Sequence, residues 1–206
     1  SKISVERIRD EFVKMGIAPG SQKAFQIFLD TGLSEEVPGF RGKKENLALY
    51  PQLNFSPTNE ANLWALMIIL LKLPNDKIPH FMRMWKNSNA MERQVADIVA
   101  FFDLISAHAP NNYDLYKAGL ETIVSTIDLA HILGQPINGS ALVDSYEALP
   151  IKNNRDLVVD GHFLLKNGIP AGPRVGLLLE EIKKAVLEGV ISNNEAAITE
   201  FISLNH

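Results

Sequence analysis

Leu63-Trp64-Ala65-Leu66-Met67-Ile68-Ile69-Leu70-Leu71 is nine residues with no charged or amide side chain among them, and it limits this chain's possible architectures more than any other stretch. A helix that is apolar on every side has to be enclosed by other elements. It is too short to span a membrane, because a bilayer core about 30 Å thick needs about 20 apolar residues. The run therefore predicts a buried helix. A polar break over 54–59 containing Pro57 leads into it, and Pro74-Asn75-Asp76 ends it and is expected to cap the next helix.

The enclosing elements also read as helices. Val5, Ile8, Phe12 and Met15 recur at helical spacing behind Ser4, a capping residue, with Glu6 in the first turn. Residues 21–30 place Ala24, Phe25, Phe28 and Leu29 on one side and stop at Thr31-Gly32, and Val37-Pro38-Gly39-Phe40 makes a turn. After a further turn at Asn87-Ser88-Asn89, Val95, Ile98, Val99, Phe102 and Ile105 form an apolar stripe. Shorter helices are predicted over 114–120, 122–133 and 139–148, with Gly134-Gln135-Pro136 as a break. Two more close the chain: one over 173–188 stopped by Gly189, the other following Ser192-Asn193-Asn194-Glu195, whose spacing suits a capping box. With no alternating strand pattern, repeat or low-complexity tract, the expected fold is all-α. It divides into an irregular helical body over 1–148 and a small helical tail over 149–206.

A 46% hydrophobic content over 206 residues supports a real core. The formal charge of -4 provides no overall field for nucleic acid, so any RNA contact has to come from local basic clusters. The absence of cysteine excludes disulfides, thiolate zinc sites and cysteine nucleophiles, and suits a reducing compartment. His80, His108, His131, His162 and His206 are widely spaced, with no His-Asp dipeptide and no His-x-x-x-His pair, which disfavours an HD-type metal hydrolase. Neither a Gly-x-Ser-x-Gly elbow nor a Walker loop is present, and no secretory leader is visible.

The most informative polar stretch is Leu149-Pro150-Ile151-Lys152, followed by Asp156-Leu157-Val158-Val159-Asp160-Gly161 and Gly168-Ile169-Pro170-Ala171-Gly172-Pro173-Arg174-Val175-Gly176. Pro173 suits the first position of a helix, whose N-terminal amides are a natural seat for phosphate. Gly172 and Gly176 let backbone approach a ligand closely, and Arg174 can grip a phosphate with two hydrogen bonds. Lys152, Arg155 and Lys166 add positive charge beside Asp156 and Asp160. Arg83 and Lys86, three apart, are expected to share a helix face, with Arg93 on the next element. Against these stand plain readings: a tight turn into a helix, and solvated cations. Arg41, Lys43 and Lys44 beside Glu45 read as an exposed loop, and Trp64 and Trp85 as core rather than base-stacking platforms.

This wording resembles the C-terminal region of class II bacterial CCA-adding tRNA nucleotidyltransferases, whose pattern runs approximately LPIK, a short spacer, DLxVNG and GxxxGPxxG. Asp160 stands where that family has Asn, and either residue can cap a helix. Looser matches keep the same order: Ile3-Ser4-Val5-Glu6-Arg7-Ile8, Asp30-Thr31-Gly32-Leu33, Phe81-Met82-Arg83-Met84-Trp85-Lys86 and Val186-Leu187-Glu188-Gly189. The resemblance implies a body-and-tail fragment, with the end of a neck in the body, of a longer enzyme. The family's magnesium-binding Asp-x-Asp and its Glu-Asp-x-x-Arg motif for selecting CTP and ATP do not occur. Magnesium, CTP and ATP are thus expected of the full-length enzyme's head and neck, upstream of Ser1. This chain is expected to have no catalytic or metal residue, no cofactor and no nucleotidyl transfer activity alone. Its implied partner is tRNA, held by the backbone of the acceptor and T arms in the cytoplasm, with no membrane involved. Two alternatives stay open. One is the C-terminal region of a bacterial poly(A) polymerase, whose usually more basic tail suits the acidic balance less well; the other is a helical protein-interaction module without an RNA role.

Overall fold

The computed structural model describes residues 3–205, so His206 lies outside the described residues. Those residues form helices, 3-10 turns and loops, with no β-strand, as the periodicity predicts. They divide into two compact units: residues up to His108 with Glu121–Gly139, and Ala109–Leu120 with the chain from Ser140 onward.

In the first unit, α1 (Val5–Ile17), α2 (Ser21–Asp30) and α3 (Lys44–Leu47) precede the apolar helix α4 (Glu60–Leu70), followed by α5 (Ile78–Met84) and α6 (Asn89–Ala107). The later part of α7 (Asn112–Ile132) also belongs here, and α7 is broken at Gly119, whose φ of 72° suits glycine. Side chains set the starts: Ser4 accepts from the Arg7 amide, Asn59 from Asn62 and Ser88 from Met91. Within α4 every residue but Glu60 and Ile69 is buried, and α1, α3 and α6 pack around it. Gly16 permits that approach, since a Cβ there would fall 2.6 Å from both Leu63 methyl groups. One expected cap is corrected. Asn75 and Asp76 lie in a 3-10 turn, the cap position of α5 falls on Lys77 without a side-chain bond, and Pro79 removes one of the amides a cap would serve.

The core of this unit is a ring cluster with Phe12 at its centre. Phe12 lies 5.0 Å from Trp85, 5.4 Å from Phe40 and 5.6 Å from Trp64, while Trp64 and Trp85 are 5.0 Å apart. Both tryptophans are fully buried, as expected of core residues. Tyr50 stacks on Phe25 at 4.0 Å and donates its hydroxyl proton to the Gly16 carbonyl at 2.8 Å.

Burial pushes the Tyr50 hydroxyl up to about 12, with Ser21 acting in the opposite direction. An unfolded tyrosine ionises near pH 10, so the folded state keeps a proton that the unfolded state has already lost. The stability Tyr50 contributes is whole below pH 10 and disappears as the pH rises to about 12, a loss of roughly 2–3 kcal/mol. Denaturant unfolding across that window should show this loss in the wild type and a flatter profile in Tyr50→Phe; equal slopes would refute it.

The second unit contains the first part of α7, α8 (Gly139–Glu147) from Ser140 onward, α9 (Gly161–Lys166), α10 (Pro173–Leu187) and α11 (Glu195–Asn205). Its interior includes Leu149, Ile151, Leu157, Val159, Leu164, Leu178, Ile182, Val186 and Ile198, all buried. The capping box proposed at Ser192 is also corrected. Because α11 starts at Glu195, the cap is Asn194, whose Oδ1 accepts from the Ala197 amide at 2.9 Å. No helix among the described residues is long and apolar enough to cross a membrane.

Candidate functional site

The glycine- and proline-rich stretch forms an ordered succession of capped turns within the second unit. Leu149 and Ile151 anchor its start in the core. Asp156 then closes the first turn: its Oδ2 accepts from the amides of Lys152 at 2.8 Å and Asn153 at 3.1 Å, while Asn153 Oδ1 accepts from the Arg155 amide. These bonds, the Lys152 amide first, hold the Asp156 carboxyl below the usual carboxylate range. Asn193 braces the next segment, accepting from the Val158 amide and donating to the Asp156 carbonyl.

Asp160 caps α9 as expected, accepting from the Phe163 amide at 2.9 Å. After α9, Gly168 at φ 86° turns the chain, and Gly172 at φ 145° sets the start of α10 in a region that side chains rarely adopt. No side chain caps α10, and Pro173 fills its first turn. Gly161 lies close to Val175, where a Cβ would stand 3.4 Å from Cγ1, so α9 and the first turn of α10 pack together. Gly176 is different: it is an exposed helical residue, and a Cβ there would meet nothing within 4 Å. Internal packing does not require a glycine at that position.

The proposed contact residues distribute unequally. Gly172, Arg174, Gly176, Lys152, Arg155 and Lys166 all belong to the second unit. Arg155, Lys166 and Arg174 are exposed, whereas Lys152 is half-buried and paired with Glu147 at 2.7 Å. Arg83 and Lys86 belong to the first unit and do not share a helix face. α5 ends at Met84, and Lys86 lies beyond it in left-handed conformation at φ 57°, its carbonyl accepting from Arg9 at 2.6 Å. Arg83 is engaged with Glu92 at 3.4 Å.

A second polar grouping in the same unit escaped the linear reading. Tyr113, Tyr116 and Lys117, on the first part of α7, meet Glu180, Lys183 and Lys184 of α10. The Tyr113 hydroxyl donates to Glu180 at 3.0 Å, and its ring has Lys184 Nζ at 4.8 Å and Lys117 Nζ at 5.9 Å from the centroid. Lys183, nearly buried, pairs with Glu180 and lies 5.5 Å from the Tyr116 ring centre. The Lys183 hydrogen bond lowers the Glu180 carboxyl, and burial raises both tyrosine hydroxyls. The tyrosine–lysine spacing on α7 was visible in the sequence. Its partners, more than sixty positions away, were not.

Among the described residues no group of three or more His, Asp or Glu side chains is placed to hold a metal ion.

Residues 55–202 match the family described as tRNA nucleotidyltransferase domain 2. A CCA-adding enzyme of Lactobacillus johnsonii is 98% identical over all 206 residues, which cover 52% of that protein. One from Lactobacillus gasseri is 91% identical over the same length, again 52% of the relative. In structure the chain is similar to the Bacillus stearothermophilus CCA-adding enzyme in complex with CTP, with a TM-score of 0.84 and 29% identity, covering 98% of this chain and 52% of that one. The chain spans about half the length of the curated relatives it matches.

Proposed function

This chain belongs to the tRNA nucleotidyltransferase domain 2 family, and from that premise we propose that it is the tRNA-holding part of a CCA-adding enzyme. Nucleotidyl transfer, with its magnesium, CTP and ATP, belongs on this reading to the other half of the relatives' length, and this chain is inactive alone. Residues 149–206 act as the RNA-facing tail, supported by 109–120 and 140–148, and residues 1–148 otherwise form the body. The grip is on the sugar-phosphate backbone of the acceptor and T arms, because an A-form duplex hides its base edges and offers phosphates and shape. Such an enzyme works in the cytoplasm.

The observation that carries this reading is Gly176. Glycine within a helix costs about 0.5–1 kcal/mol relative to alanine, and none of the described residues occupies the space a side chain would take. A backbone that must come close to an outside group accounts for that cost. Arg174 two residues earlier, with Arg155 and Lys166 exposed in the same unit, supplies charge suited to phosphate. The relatives' shared designation as CCA-adding enzymes supports this reading over a poly(A) polymerase or a protein-interaction module.

Titrating tRNA against the protein over a range of salt provides the test. Affinity should fall linearly with log salt, and Arg174→Ala should weaken binding whatever the acceptor sequence and reduce the slope by about one phosphate contact. A wild-type protein that binds no tRNA even at the lowest salt would overturn the reading.

A further inference from the structure

We propose that Lys117 and Lys184, held beside the Tyr113 ring, form a second phosphate-contacting patch for helical RNA. The inference rests on the tRNA-holding reading above and extends it to residues outside the glycine-rich stretch. Of the three lysines in this cluster, Lys183 is nearly buried and neutralised by Glu180, so it serves the fold. Lys117 and Lys184 are exposed with their ammonium groups beside the Tyr113 ring, and Glu180, which acts electrostatically on Lys117, is itself ion-paired with Lys183. The nearby carboxylates have partners of their own, Glu181 on α10 included. Glu180 takes Lys183 and the Tyr113 hydroxyl, Glu188 accepts from the Tyr113 amide, and Asp114 accepts from the Asn111 amide.

The ring itself acts as a support. A lysine loses much side-chain freedom when its ammonium is fixed, and a cation–π contact with Tyr113 bears part of that cost before any ligand arrives. With two ammonium groups near it, the ring is poorly placed to stack on a base, so the chemistry favours phosphate oxygens. The position along α10 agrees. Arg174 and Lys184 are ten residues apart, about 15 Å of helix rise and within about a quarter turn of each other, so one exposed side of α10 carries both cations, with the exposed Glu181 between them. A helix that holds cations at that spacing suits a regular phosphate backbone better than a single bound anion.

The experiment compares tRNA binding by the wild type, Lys117→Ala/Lys184→Ala and Lys43→Ala/Lys44→Ala across salt concentrations, with thermal unfolding of each as a check on folding. The last variant removes the same net charge from exposed residues of the first unit. The Lys117/Lys184 variant should bind on the order of tenfold more weakly at low salt, with a log–log salt slope smaller by about 1.4–1.8, while Lys43/Lys44 changes the slope little. If the alanine variant unfolds, Lys117→Gln/Lys184→Gln serves in its place, preserving the stems over the ring. Wild-type binding with an unchanged slope in the Lys117/Lys184 variants would overturn the patch and leave the tRNA-holding reading standing. Equal losses in both lysine pairs would overturn it as well, assigning the effect to net charge. Absence of wild-type binding at any salt would overturn both.

Discussion

Phe12→Ala should lower the unfolding free energy by roughly 3–5 kcal/mol, a large share of the 5–15 kcal/mol typical of a folded domain. Phe12 is 5% exposed and its ring contacts five others, Phe25, Phe28, Phe40, Trp64 and Trp85, at 5.0–6.1 Å. Each such pair adds about 0.5–1.5 kcal/mol beyond the area it buries. Collapse into the vacated space is opposed because Phe40 and Trp85 are themselves pinned by Phe28, Phe81 and Trp64. Phe12→Leu, which keeps most of the volume, should lose about 1–2 kcal/mol. The chain's two tryptophans both lie in this cluster, so their fluorescence in urea reports on this unit. A loss below about 1 kcal/mol for the alanine variant would show that Phe12 does not hold the cluster together.

Phe12 also shows where sequence reasoning stops. Its place on a helix, at i, i+3, i+4 spacing with Ile8 and Met15, was legible because a 3.6-residue period needs only neighbours in the chain. That it meets Trp85, more than seventy positions later, follows from the packing of α1 around α4 and appears in no local pattern. The apolar run was legible for a related reason, since a helix without a polar face has only one place to be. Caps divided along the same line. Ser4 and Asp160 cap as their position suggests, whereas Asn75 and Ser192 do not, because the helix boundary lies two residues later in each case. A cap depends on the exact first turn, which is the least determined feature of a periodic pattern.

The candidate site divides in the same way. Gly172 could be read from its neighbours, since a Gly-Pro step opening an amphipathic run has few alternatives, and the structure gives it a backbone angle suited to glycine. The helix face expected to join Arg83 and Lys86 does not form, because α5 ends at Met84 and Lys86 turns left-handed beyond it. The tyrosine–lysine cluster was invisible because its two halves are joined only by tertiary packing.

Gly176→Asp should separate folding from binding, moving them in opposite directions. The residue lies in the first turn of α10 with open space where a side chain would go, so the substitution introduces no clash. Replacing glycine relieves part of its helix penalty, and a carboxylate near a helix N-terminus is favourable by about 0.3–1 kcal/mol, so the protein should gain about 0.5–1 kcal/mol in stability. That carboxylate would also stand where the tRNA-holding reading brings a phosphate. Like charges brought together at an interface cost several kcal/mol, so tRNA affinity should fall on the order of a hundredfold. Gly176→Ala adds bulk without charge and should fall between the two, more stable than the wild type and weaker in binding by a smaller factor. Thermal unfolding and tRNA titration on the same three proteins measure both quantities. A stabilised Gly176→Asp protein that binds tRNA as tightly as the wild type would remove the first turn of α10 from the RNA-facing surface, and with it the observation on which the proposed function rests.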